Sequence, residues 1–173
     1  MSKLVLIQGS LNPDSKTSII LEETVKVLNK KKIKNEVIDL RKLKLEFCDG
    51  RDLKEYNEDL RNAYKQMENA NGYVIAMPVY CYSVPGPLKN FLDITCGAME
   101  KKFSGIICNA GGIMSYLASA ELMKILSYEV HVLCVQPTVY SWGGDFKENK
   151  IINEKVINKI SDMTENLMSV IGK

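Results

Sequence analysis

Apolar residues in this chain gather in short, almost unbroken runs, and between the runs they recur every three or four positions. The runs are KLVLIQ (3–8), NEVIDL (35–40), GYVIAMP (72–78), FSGIICNA (103–110) and VHVLCVQP (130–137). Each has the length of a strand and is rich in β-branched side chains, and the lack of apolar–polar alternation predicts strands covered on both faces. Helical spacing follows each run. It is carried by Ile20, Val25 and Leu28, then Leu60, Tyr64 and Met67, then Leu88, Phe91 and Leu92, then Leu117, Leu122, Ile125 and Leu126. Val156, Ile157, Ile160, Met163, Leu167 and Ile171 carry the last helix.

Five strand–helix units in order predict an α/β fold. Right-handed crossovers make of them a three-layer sandwich, a five-stranded parallel sheet with helices on both faces. The expected strand order is 2-1-3-4-5, and in such a sheet ligands sit outside the carboxyl ends of strands 1 and 3, where the chain reverses direction. No linker, repeat or low-complexity block interrupts the series, so one domain is expected over 1–173. The longest irregular piece, RKLKLEFCDGRDLKEY (41–56), falls at that same end of the sheet.

Composition narrows the function classes. A chain of 173 residues can bury a full core, and a formal net charge of +2 is too small to predict a nucleic-acid partner. No stretch approaches the roughly 20 apolar residues of a membrane span, and the leading LVLI is shorter than a signal-peptide core, so no membrane partner and a cytoplasmic location are expected. Cys48, Cys81, Cys96, Cys108 and Cys134 are odd in number and form no CxxC pair. They predict reduced thiols and no metal site.

Three loops gather at one edge if the topology is right. The first, GSLNPDSKTS (9–18), looks like a P-loop, but SKT stands where GKT is needed and Lys16 is one residue too far from Gly9. Ser10, Asn12, Ser15, Thr17 and Ser18 surround a helix start, where free N–H groups and the helix dipole favour an anion. Capping by Asp14 or Ser15 alone would need only one such residue. The second loop, PVYCYSVPGPLKN (78–90), is stiffened by proline, and Tyr80 and Tyr82 offer flat faces either to an aromatic ligand or to the sheet edge. The third, CNAGGIMSY (108–116), carries Gly111 and Gly112, which allow close approach to the backbone or form a simple turn.

Taken together these loops resemble the NADPH-dependent FMN reductase family, a flavodoxin-like group that carries GSxRxxSxN after strand 1, PxYxxSxPGxLKNxxD after strand 3 and a glycine-rich turn after strand 4. PVYCYSVPGPLKNFLD keeps Pro78, Tyr80, Ser83, Pro85, Gly86, Leu88, Lys89, Asn90 and Asp93 of the middle motif, and the resemblance runs from Leu4 to about Pro137. It implies a flavodoxin-like fold with the FMN phosphate held by Ser10, Asn12, Ser15, Thr17 and Ser18. Pro78, Val79, Tyr80, Cys81, Tyr82 and Ser83, with Asn109, Ala110, Gly111 and Gly112, would then border the isoalloxazine ring. Asn12 replaces the usual arginine, a charge that Lys16 could supply; Val79 stands where glutamate is common and Cys81 where asparagine is frequent.

The resemblance further implies an oxidoreductase. A hydride passes from NADPH or NADH to the flavin N5, and two electrons then go to a small acceptor such as a flavin, quinone, azo dye, chromate or nitro compound. The family is commonly a homodimer or homotetramer. No catalytic side chain is expected, because the chemistry belongs to the cofactor. Backbone N–H groups at Gly111 and Gly112 are suited to negative charge on the reduced ring.

His131 is expected to open a strand, Asp39 to lack a ribose-binding role without a GxGxxG, and the NKKKIK cluster (29–34) to be a solvated helix end. Trp142 covers the site, meets another subunit or packs in the core, and the sequence leaves all three open. The rival readings are a non-enzymatic flavodoxin-like electron carrier, disfavoured by the lack of an acidic balance, a P-loop NTPase, which lacks the second P-loop glycine, and a flavin-free interaction module.

Overall fold

The computed structural model describes residues 3–172. Strands β1 (Lys3–Gln8), β2 (Lys34–Asp39), β3 (Gly72–Pro78) and β4 (Phe103–Ala110) alternate with helices α1 (Lys16–Lys30), α2 (Glu58–Glu68), α3 (Gly86–Thr95) and α4 (Ala118–Val130). Two short strands, β5 (Leu133–Cys134) and β6 (Val139–Trp142), follow, then a small β7 (Phe146–Lys147) and β8 (Lys150–Ile151) hairpin and the closing helix α5 (Glu154–Ile171). The sheet is parallel with order β2-β1-β3-β4-β5, and β6 also pairs with β4. This is the expected order, flanked by helices on both faces.

The unbroken apolar runs are explained by two cores. In β1, Leu4 and Leu6 pack toward α1 and α5, while Val5 and Ile7 join the core under α2, α3 and α4. Val74 and Ala76 of β3 take the first side, Tyr73, Ile75 and Met77 the second. All these side chains are fully buried, and each Leu, Ile or Val contributes about 1.5–3 kcal/mol relative to exposure. Gly9 continues β1: its N–H donates to Ala76 O at 2.8 Å, and a Cβ there would stand 3.0 Å from that oxygen. Only glycine lets the chain leave the sheet so close to its neighbour.

Four expectations are corrected. β2 is an edge strand with Val37 45 % exposed, so it is not covered on both faces, and Leu40 belongs to a short 3-10 turn after it. VHVLCVQP is not one strand. Val130 ends α4, and His131 is its C-cap at φ 54°, so it does not open a strand. Pairing to β4 is made first by Leu133 and Cys134, continues in the Val135 N–H, which donates to Ser104 O at 2.8 Å, lapses over 136–138 around Pro137, and resumes at Val139. Leu117 lies just before α4 and is 66 % exposed, outside the helix stripe that Leu122 and Leu126 form.

The irregular stretch 41–56 is tied down by side chains. Asn90 of α3 donates to Glu46 O at 2.8 Å and accepts from Cys48 N–H at 2.9 Å, while Tyr56 is buried in the core.

Candidate functional site

Loops leaving β1, β3, β4 and β6 converge at the carboxyl edge of the sheet around a cavity of about 230 Å³. Ser10, Asn12, Ser15, Lys16 and Thr17 line it from the first loop. Pro78, Val79 and Tyr80 line it from the second, and Asn109, Ala110 and Gly111 from the third. The structure therefore brings together eleven of the sixteen residues singled out from the sequence. The lining also includes Asp14 and Gly143, which the sequence reading had not placed at the site.

The first loop is shaped by its own acceptors. Gln8, almost fully buried, accepts from Ser10 N–H and donates to Ser10 O at 2.9 Å. Ser10 Oγ accepts from Asn12 N–H at 3.3 Å, Asn12 Oδ1 from Asp14 N–H at 2.9 Å, and Ser15, the N-cap of α1, from Ser18 N–H. The Ser18 hydroxyl is used as well, donating to Ser15 O at 2.7 Å, which takes Ser18 out of the cavity wall. From outside, Arg41 donates to Pro13 O at 3.3 Å.

What remains at the cavity is a set of donors. Among the described residues no acceptor takes the N–H of Lys16 or Thr17, the Asn12 amide NH₂ or the Thr17 hydroxyl, although Thr17 is only 1 % exposed. The Lys16 ammonium makes no ion pair among the described residues. It lies 5.3 Å from the centre of the Phe146 ring, and a Cβ on Gly143 would stand 3.8 Å from it. Unpaired donors at a helix N-terminus beside a cation are the chemistry of an anion site. Asp14, exposed on the rim, is the one lining group of opposite sign.

In the second loop Val79 N–H donates to Asn109 O at 2.8 Å, locking the exits of β3 and β4 side by side. Tyr80 and Ser83 then close a tight turn, with Cys81 and Tyr82 at φ 50° and 61° between them. Two positive φ values in succession are the type I′ geometry. Cys81, Tyr82 and Ser83 stand outside the cavity wall: the first two are exposed on the turn, and the Ser83 hydroxyl donates to the Glu121 carboxylate on α4. Tyr80 is 51 % exposed and Tyr82 68 %.

In the third loop nothing in the protein lies within 4 Å of where a Cβ on Gly111 or Gly112 would be, so no protein packing demands glycine there. Gly112 itself does not line the cavity. Gly143 faces Gly111 across it, and a Cβ at 143 would lie 3.4 Å from Gly111 O, partly filling the gap.

Trp142 ends β6 opposite Ala110, and its indole is folded over Gly144, outside the cavity wall. Asp145, buried, accepts from Trp142 N–H at 2.9 Å and from Asn153 at 2.7 Å, and so fixes this turn. Asp39 is occupied by a two-pronged pairing with Arg41 at 2.7–3.1 Å. Burial alone would raise its carboxyl, but hydrogen bonds from the Arg41 side chain and amide hold it below its ordinary value. It is not a free ribose-binding acid.

A larger groove of about 600 Å³ runs between α3 and α4, past Lys89, Cys96 and Tyr128. It lies away from the loops that follow the strands, and the Cys96 thiol there is pushed up to about 11, chiefly by burial. Among the described residues no group of His, Cys, Asp and Glu is placed to hold a metal ion, and no helix is long and apolar enough to cross a membrane.

Comparison with known proteins places this chain in a family. The family model described as NADPH-dependent FMN reductase matches residues 2–147. An NAD(P)H-dependent FAD/FMN reductase of Geobacillus thermodenitrificans (strain NG80-2) is 30% identical over 167 residues, covering 93% of this chain and 89% of the relative. Among solved structures, the flavoenzyme NAD(P)H:(acceptor) oxidoreductase FerB from Paracoccus denitrificans superposes with a TM-score of 0.79 at 17% identity, over 98% of both chains. An NADH:FMN oxidoreductase in its apo form gives 0.76 at 23% identity, over 94% of this chain and 88% of the other. Those two likenesses speak for the fold, which is flavodoxin-like. The matched family model and the Geobacillus relative speak for the chemistry: this chain is an oxidoreductase that belongs to the NADPH-dependent FMN reductase family.

Proposed function

We propose that the cup at the carboxyl edge binds FMN, and that the protein, as a single domain over 1–173, carries two electrons from NADPH or NADH to a small acceptor. The acceptor is a flavin, quinone, azo, chromate or nitro compound. The observation that carries this reading is the division of labour in the first loop, where acceptors are satisfied internally and donors are left at the cavity. That set fits a phosphate monoester: the N–H groups of Lys16 and Thr17, the hydroxyls of Ser10, Ser15 and Thr17, the Asn12 amide and the Lys16 ammonium. Lys16 then stands in for the arginine that position 12 lacks.

When bound, FMN would supply the two-electron chemistry that no side chain here provides. The chain's own part is to bind and orient. Pro78, Val79 and Tyr80 form one wall, with Cys81, Tyr82 and Ser83 in the turn above it, and Asn109, Ala110 and Gly111 form the other, with Gly112 in the turn beyond it. The free N–H groups of Gly111 and Gly112 suit negative charge at the ring edge. Ser18 supports the phosphate loop from behind by fixing Ser15.

Two further parts of the reading rest on surface and thiols. Tyr82, Met114, Tyr116 and Leu117, all more than half exposed beside the cup, support a homodimer or homotetramer in which a second copy covers them. Five free cysteines support a cytoplasmic, reducing location.

The test is to purify the protein, record its visible spectrum with and without added FMN, and then add NADPH in the absence of oxygen. A flavin spectrum that bleaches rapidly is expected. No FMN binding would overturn the site, and bound flavin that stays yellow would favour the electron-carrier reading.

A further inference from the structure

The turn that follows β4 has almost nothing local to hold it. Among the described residues the N–H groups of Gly111, Gly112, Ile113 and Met114 have no protein acceptor. Ile113, Met114, Tyr116 and Leu117 are each at least 55 % exposed, so burial does not fix the turn either. Two successive glycines widen the choice of backbone conformations further. Yet Gly111 forms part of the cup, and its conformation decides where its amide points.

One side chain from another element ties the turn down. The Tyr140 hydroxyl donates to Gly112 O and accepts from Ser115 N–H at 3.2 Å, bracketing the segment from both ends. Its ring meets Tyr116 edge to face, with centroids 6.5 Å apart and planes at 86°. Tyr140 is itself well fixed, since it lies in β6 in register with Cys108 of β4 and packs against the core under α2, α3 and α4. A phenol on a rigid strand is a post with both a donor and an acceptor at its tip.

We propose that Tyr140 is a positioning residue: its hydroxyl holds the Gly111–Ser115 turn so that the free amide of Gly111 is presented to the ligand in the cup. The proposal rests on the reading of the cup as an FMN site. It makes Tyr140 act through the backbone, without touching the cofactor itself. Its effect should fall more on reduced than on oxidised flavin, because oriented amides act most on the form that carries negative charge.

Tyr140→Phe keeps the ring and its packing and removes only the hydroxyl. Wild type and variant are titrated with FMN by fluorescence quenching, and the midpoint potential of the bound flavin is measured in each. Loss of the two hydrogen bonds is expected to weaken oxidised FMN binding about threefold to tenfold. Reduced flavin should lose about tenfold more, which in a two-electron couple is a potential lower by about 30 mV. An unchanged potential overturns the proposal, even if affinity falls, because a merely structural role would weaken both forms alike. If wild type fails to bind FMN, the reading of the cup fails and the Tyr140 assignment falls with it. If wild type binds and Tyr140→Phe matches it in both measurements, the Tyr140 assignment alone is refuted.

Discussion

Cys81 and Tyr82, at φ of 50° and 61°, hold a backbone conformation that side chains with a Cβ adopt at a cost of order 1–3 kcal/mol each. Asparagine tolerates this region far better than cysteine, which gives a physical reason for the asparagine frequent at this point in the motif. Cys81→Asn should therefore stabilise the protein by about 0.5–1 kcal/mol, read as a higher denaturant midpoint with an unchanged slope. Lys16 is the residue whose charge matters most at the cup. Lys16→Gln is expected to weaken FMN about tenfold and Lys16→Arg to restore most of the loss, measured by titration at fixed salt. At Asp39 the folded-state carboxyl is held low by Arg41, so its contribution to stability is present above its unfolded value, about 3.9, and lost as pH falls through the lower folded one. Asp39→Asn should thus cost stability at pH 7, and its gap to wild type should close below pH about 4 in pH-dependent denaturation curves.

At the scale of elements, β1, β3 and β4 and the loops after them were legible because each strand is apolar on both faces and each loop begins with a punctuating Gly or Pro. The fifth strand was not. VHVLCVQP is one apolar run in sequence, but apolar content cannot show that Val130 still belongs to α4, that His131 turns left-handed to end it, or that pairing lapses around Pro137. The resumed strand β6 supplied the residues the sequence reading missed. Gly143 lines the cup from the turn just after it, and Tyr140 tethers the glycine turn. The short run TVYSW after the proline was the available signal. At Asp14 the sequence offers no more than a helix cap. The β6–β7 turn yields its own prediction. A Cβ on Gly144 would come within 2.4–2.9 Å of the Trp142 indole, so Gly144→Ala must displace that ring. Trp142 is the only tryptophan in the chain, and a changed emission maximum would report the move directly.

Across the whole molecule, packing in or against the core under α2, α3 and α4 sets three thiols apart from the two exposed ones. Burial pushes Cys108 up to about 12 and Cys134 up to about 11; Cys96 also rises to about 11, with the Glu129 and Asp93 carboxylates adding to burial. The thiolate is the reactive form, so these three should resist alkylation at neutral pH while the exposed Cys48 and Cys81 react. Mass spectrometry should find two labels on the native protein and five after denaturation. Protection of Cys48 or Cys81 would mean that another surface covers it. The sheet's two margins have a consequence of their own. At one, β2 presents Lys34 and a Glu36 paired with Lys3 at 2.8 Å; at the other, the fifth position is broken at 136–138 and carries a proline. Charge on the β2 edge and the proline break at the other margin both work against the addition of a foreign strand. Edge-to-edge pairing of sheets between copies is thereby disfavoured relative to contacts through helices and loops.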